Sequence, residues 1–100
     1  MGEDGHTASL FPGSKSLEET ARLVVPVYTE KPNQNRVTLT LAVLNNAAQI
    51  LFLVAGTSKA TVLSEILKDG NRRREFPAGR IRPVRGTVIW LIDQEAAGRV

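Results

Sequence analysis

Two short stretches of this sequence hold side chains suited to chemistry. Gly2-Glu3-Asp4-Gly5-His6-Thr7 sets an acid and an imidazole among glycines. Glycine lets the backbone turn sharply, so side chains two positions apart converge. Imidazole titrates near neutral pH, so His6 is suited to taking a proton from water, with Asp4 fixing its tautomer and stabilising the imidazolium. The competing reading is a hydrogen-bonded structural histidine. The second stretch is Ala55-Gly56-Thr57-Ser58-Lys59, in which an apolar strand turns through glycine into a helix. Unpaired amides at the helix start, the Thr57 and Ser58 hydroxyls and the Lys59 ammonium together make a phosphate cradle. In the blander alternative, Thr57 or Ser58 only caps the helix and Lys59 is solvated.

Regular elements must hold these stretches in place. The opening reads as an ordered loop with one helical turn at residues 7–11. Residues 23–28 have strand character. Pro26 cannot donate a ladder hydrogen bond, which places that strand at an edge. Residues 30–35 form a turn-rich loop, 37–41 alternate at a strand's period, and 41–48 offer a short apolar helix. QILFLVA, residues 49–55, is apolar on both faces, as a central strand covered by helices on each side requires. In the next helix Val62, Leu63, Ile66 and Leu67 form a buried stripe. Gly70 lies where that helix would end in the left-handed conformation. The last strand is Thr87 to Ile92, and Asp93 is placed to cap the turn at 94–97. Strands alternating with helices predict an α/β fold on a mainly parallel, Rossmann-like sheet.

Composition sets limits. One hundred residues make a single domain at most. Cysteine is absent and His6 is the one histidine, which excludes thiolate nucleophiles, Cys-ligated metal and multi-His zinc sites. No apolar run approaches the ~20 residues that cross a bilayer, and no signal-like start is seen, so a cytoplasmic location is expected. The net charge is +3. Most of the excess lies between Lys68 and Arg85, a basic stretch able to meet phosphate. Its glycines and prolines mark a solvated connection, and Phe76 is its single aromatic, so a nucleic-acid interface is poorly supported.

The string GEDGHTASLFPG, from Gly2 to Gly13, resembles the signature loop of the 6-phosphogluconolactonases. The resemblance continues through Glu30-Lys31-Pro32, Arg36-Val37-Thr38-Leu39-Thr40, Leu44-Asn45-Asn46-Ala47, LFLVAG, Lys59-Ala60 and Thr87 to Asp93, covering nearly the whole chain in order. Glucosamine-6-phosphate deaminases are similar, but their loop usually continues Ile-Ala-Phe-Asn-Glu where this chain has Thr7-Ala8-Ser9-Leu10-Phe11-Pro12. The resemblance implies hydrolysis of 6-phospho-gluconolactone without metal or organic cofactor. His6 would be the base and Asp4 its orienting acid. Lys59 and the turn Gly56-Thr57-Ser58 would hold the phosphate of a phosphosugar lactone. Arg36 is a second cation and Lys31 a weaker one.

Members of that family are more than twice as long, and the likeness is to their C-terminal half. The chain is therefore expected to be a fragment beginning inside the catalytic loop, with little activity alone. Its partner would be the missing N-terminal half or a second copy. Two other readings stand beside this one: a non-catalytic phosphosugar-binding remnant of the same fold, and a basic nucleic-acid binder.

Overall fold

The computed structural model describes residues 1–100, the side chain of Pro32 excepted. Two strand pairs organise it. Val24–Val27 (β1) and Arg36–Leu39 (β2) run antiparallel, with Val24 opposite Leu39 and Val27 opposite Arg36. Pro26 lies opposite Val37 and is tolerated because the sheet has only these two strands, leaving every outer edge unpaired. A short helix, α1 (Leu41–Leu44), follows. Gln49–Val54 (β3) and Thr87–Ile92 (β4) then pair in parallel, from Gln49 opposite Thr87 to Val54 opposite Ile92. Parallel strands need a crossover. Here it contains helix α2 (Ala60–Leu67) and three 3-10 turns, Thr57–Lys59, Asn71–Glu75 and Pro77–Arg80.

The fold is thus α/β, with one parallel pair and a separate antiparallel hairpin. One face of the parallel pair carries the core. Phe52 and Val54 pack with Leu63 and Ile66 of α2 and with Ala78, Ile81 and Ala96. Phe52 stacks on Trp90, ring centroids 4.1 Å apart and ring planes nearly parallel. The other face departs from the expectation of a strand covered on both sides. Leu51 and Leu53 are 54% and 69% exposed, and Ile89 and Leu91 of β4 are 41% and 52% exposed. The pleat sends alternate side chains to opposite faces. α2 and the segment 76–81 cover only one of them.

Local chemistry explains four further departures. The predicted helical turn at residues 7–11 is a tight turn in which Leu10 N–H donates to Thr7 O and Ala8 has φ 50°. Helix α1 stops at Leu44, because the Asn45 side chain is drawn to the chain beyond α2. Its Nδ2 donates to Arg80 O and its Oδ1 accepts from Arg82 N. Neither Thr57 nor Ser58 caps α2. A 3-10 turn, Thr57–Lys59, leads into it, with Lys59 N–H donating to Gly56 O. At the far end Asp69, not Gly70, is left-handed (φ 55°, against −87°). A short polar side chain tolerates that conformation, and the Asp69 carboxylate pairs with Arg82.

Asp93 performs the predicted capping and adds to it. Its Oδ1 accepts from Ala96 N–H at 2.8 Å, and both its oxygens lie 3.1 Å from Gly56 N. The parallel register makes this possible, since β3 and β4 end side by side. The Ala96 and Gly56 amides hold the carboxyl below its usual 3.8. Near the first loop, the amides of Arg22 and Ala21 and the Arg22 side chain pull Glu19 from 4.5 to about 2.

Two outcomes are expected. Leu63→Ala, at a fully buried site, should cost about 2–5 kcal/mol in chemical denaturation, whereas Leu53→Ala on the open face should cost far less; equal losses would contradict this account of the core. Carboxyls depressed in the folded state stabilise above their unfolded pKa and lose that contribution as pH falls through the folded value. Stability should therefore decline from about pH 4.5 toward about pH 2, and Glu19→Gln and Asp93→Asn should each flatten the decline.

Candidate active site

The Asp4–His6 pair is built by backbone turns. Gly2 N–H donates to His6 O at 2.9 Å and Gly5 N–H to Gly2 O at 3.0 Å, folding residues 2–6 into a compact loop. Gly5 has φ 84°, and a Cβ there would stand 2.8 Å from the Phe76 Cβ. A Cβ on Gly2 would overlap the imidazole Nδ1 and Cε1. Both positions need glycine, one for its backbone angle and close packing, the other because the ring lies against its Cα. The loop is tied down twice. Ala78 N–H donates to Gly5 O at 2.9 Å, and Ser9 N–H donates to the hydroxyl of buried Thr38 on β2 at 3.1 Å.

Within this frame a single oxygen, Asp4 Oδ1, receives the His6 backbone N–H at 3.0 Å and lies 2.6 Å from Nδ1. Desolvation works against ionisation of Asp4. The His6 amide, ring hydrogen bond and charge more than offset it, holding the carboxyl below 3.8. An ionised carboxylate only accepts, so Nδ1 carries a proton, and in the neutral imidazole Nε2 is then the nitrogen with the free lone pair. Nε2 has no partner among the described residues. The side chains of His6 and Asp4 are 36% and 51% exposed, so the imidazole is open to a water or ligand.

Two cations approach this pair. Lys59 Nζ donates to the carbonyl oxygen of Met1, next to the Gly2 that backs the His6 ring. Lys59 and His6 therefore lie on the same side of the parallel pair. Arg36 opens β2 two residues before Thr38, and so projects from the same face of the hairpin. Its guanidinium carbon stands 6.0 Å above the centre of the Phe11 ring, and Phe11 leans against His6 at 4.8 Å between centroids. One aromatic ring thus separates Arg36 from the imidazole.

Of the residues expected from the sequence, Asp4, His6, Lys59 and Arg36 come together. Lys31 does not. It is exposed in the hairpin loop, where its amide and carbonyl bond to Thr29 and its carbonyl also accepts from Gln34. The exposed Thr57 and Ser58 hydroxyls have no partners among the described residues and flank Lys59. The Gly56 N–H is already engaged by Asp93, so glycine here supplies the turn and not an open anion donor. Sequence reasoning missed Phe11 as the bridge between Arg36 and His6, and Phe76 and Ala78 as the seat of Gly5. No periodicity or spacing signals either contact. Among the described residues no group of three or more His, Cys, Asp or Glu side chains is placed to hold a metal ion.

Gly5→Ala should unsettle this arrangement. A left-handed non-glycine residue costs about 1–2 kcal/mol, and the close approach to Phe76 adds to that. Thermal melting should show the loss, and the His6 ring resonances should shift. A variant with wild-type melting and an unmoved ring would contradict the role given to this glycine.

The family model described as glucosamine-6-phosphate isomerases/6-phosphogluconolactonase matches residues 1–90. The 6-phosphogluconolactonase of Rattus norvegicus is 44% identical over 98 residues, covering 97% of this chain and 37% of the relative. That of Homo sapiens is 43% identical, covering 97% and 38%. The solved structure of the Trypanosoma brucei 6-phosphogluconolactonase superposes with a TM-score of 0.84 at 34% identity, covering 98% of this chain and 39% of that one. The chain spans about two fifths of the length of the relatives it matches. Among the described residues no helix is long and apolar enough to cross a membrane. A loop that sets an imidazole on a carboxylate, a strand–glycine–lysine turn beside it and the parallel pair beneath are features this chain holds as a member of the glucosamine-6-phosphate isomerase/6-phosphogluconolactonase family.

Proposed function

We propose that this chain supplies the basic and phosphate-holding walls of an enzyme that hydrolyses 6-phospho-gluconolactone to 6-phosphogluconate. The observation that carries the reading is the Asp4–His6 contact at 2.6 Å with Nε2 left open. In this mechanism Nε2 removes a proton from water as the water oxygen bonds to the lactone carbonyl carbon. The carbonyl electrons move to oxygen, giving a tetrahedral intermediate. On its collapse the bond to the ring oxygen breaks, and the imidazolium returns its proton to that oxygen. Asp4 holds the tautomer and stabilises the imidazolium, a contribution of general-base catalysis worth about 10²–10⁴ in rate. Lys59, freed from the Met1 carbonyl, pairs with the phosphate beside the hydroxyls of Thr57 and Ser58 at the Gly56 turn. Arg36 serves the phosphate or the sugar hydroxyls. Lys31 takes no part unless the hairpin loop moves. The compartment we propose is the cytoplasm, in keeping with a cysteine-free sequence.

The open apolar face formed by Leu51, Leu53, Ile89 and Leu91 is the surface on which we place the remainder of the family domain. Parallel strands are ordinarily covered on both faces, and the chain spans about two fifths of its relatives. That open face also favours a second reading, a phosphosugar-binding module without turnover. A chimera in which this chain replaces the matching part of the rat lactonase separates the two. It should hydrolyse the lactone, with His6→Ala lowering kcat by about 10²–10⁴ and leaving KM nearly unchanged, and with Lys59→Ala acting mainly on KM. Binding of 6-phosphogluconate without hydrolysis would select the second reading, and turnover insensitive to His6 would remove the mechanism.

A further inference from the structure

A separate cleft of about 730 Å³ opens between α1, the end of α2 and the segment 71–82, and its lining shares no residue with the Asp4–His6–Lys59 cluster. Four arginines line it, Arg73, Arg74, Arg80 and Arg82, with Asn45 and the single acid Asp69. Arg73 is fixed in its wall. Its side chain is 13% exposed, Nε donates to Gly79 O at 2.8 Å and Nη1 to Ile66 O at 3.1 Å. Arg82 is held through its amide by Asn45 and through its guanidinium by Asp69. Arg80 Nε donates to Arg74 O. The Arg74 guanidinium has no partner among the described residues.

Asp69 is shared, since Oδ1 bonds to Arg82 and stands 3.8 Å from Arg73 Nε. One carboxylate therefore faces four cations. Burial, and next the charge of Arg82, hold the Arg73 pKa below its ordinary value despite Asp69. An anion in the cleft would relieve that repulsion and meet preorganised donors. A single phosphate carries about −1.5 to −2 near neutral pH, short of the excess, whereas two linked phosphates match it. Phe76, the aromatic of this stretch, is partly buried against Gly5, which removes the platform a nucleobase would stack on.

We infer that the cleft between Asn45, Asp69 and Arg73–Arg82 binds a small anion bearing two phosphate groups, independently of the candidate active site. The test is titration of inorganic pyrophosphate into the 100-residue chain, followed by calorimetry and amide NMR. Saturable binding should shift the amides of Arg73, Gly79 and Arg82 and survive Lys59→Ala. It should weaken about tenfold or more in Arg74→Ala and in Arg82→Gln, as loss of one charged hydrogen bond implies. Arg74 has no structural partner, so its variant keeps the fold and reports on binding alone. The inference is overturned if pyrophosphate does not saturate a site, or if its binding depends on Lys59 and not on the arginines. It is also overturned if single-stranded RNA binds the same arginines more tightly, with a salt dependence set by many phosphates.

Discussion

The contact between Asp4 Oδ1 and His6 Nδ1 governs how the rest of this molecule can be used. A lone imidazole in a glycine-rich loop has two tautomers and a free torsion. A carboxylate at 2.6 Å removes both freedoms, because it accepts only from a protonated nitrogen. The same oxygen also takes the His6 amide, so acid, ring and backbone become one unit. That unit is only as rigid as its seat. Gly5 rests on Phe76 and bonds to Ala78, and Ser9 is tied to Thr38. The crossover segment and the hairpin, distant in sequence, thus both bear on the position of one ring.

Beneath the loop the parallel pair does a different job. Its register brings the ends of β3 and β4 together, where Asp93 clamps the Gly56 amide and so fixes the turn that presents Thr57, Ser58 and Lys59. Its energetics are lopsided. The face holding Phe52, Val54, Leu63 and Ile66 is packed, while four large aliphatic side chains on the other face remain about half exposed. Fully burying a side chain of that kind is worth roughly 1.5–3 kcal/mol, so the open face is a standing drive toward association.

Much of this is legible in the residues. An acid and an imidazole two apart among glycines, an apolar strand ending in Gly56 with Lys59 three residues on, and the stripe of Leu63 and Ile66 each follow from short-range geometry, and the structure shows each. What sequence could not give are contacts set by the tertiary fold. Phe11 reads as one aromatic in a loop until the hairpin carries Arg36 over it. Asp69 takes the left-handed role assigned to Gly70 because Arg82 waits for its carboxylate. Asn45 ends α1 early because the 80–82 segment needs its amide. The expectation of a strand covered on both faces followed from its composition, and composition does not say which chain does the covering.

The protonation of the His6 ring is the most direct test of the Asp4–His6 unit. Long-range nitrogen–proton NMR correlation on the uniformly labelled chain at neutral pH distinguishes the two imidazole tautomers through their nitrogen shifts. The proton should reside on Nδ1, with Nε2 in the unprotonated range, and Asp4→Asn should change that pattern. A ring protonated on Nε2, or one indifferent to the loss of the Asp4 charge, would contradict the arrangement on which the proposed chemistry stands.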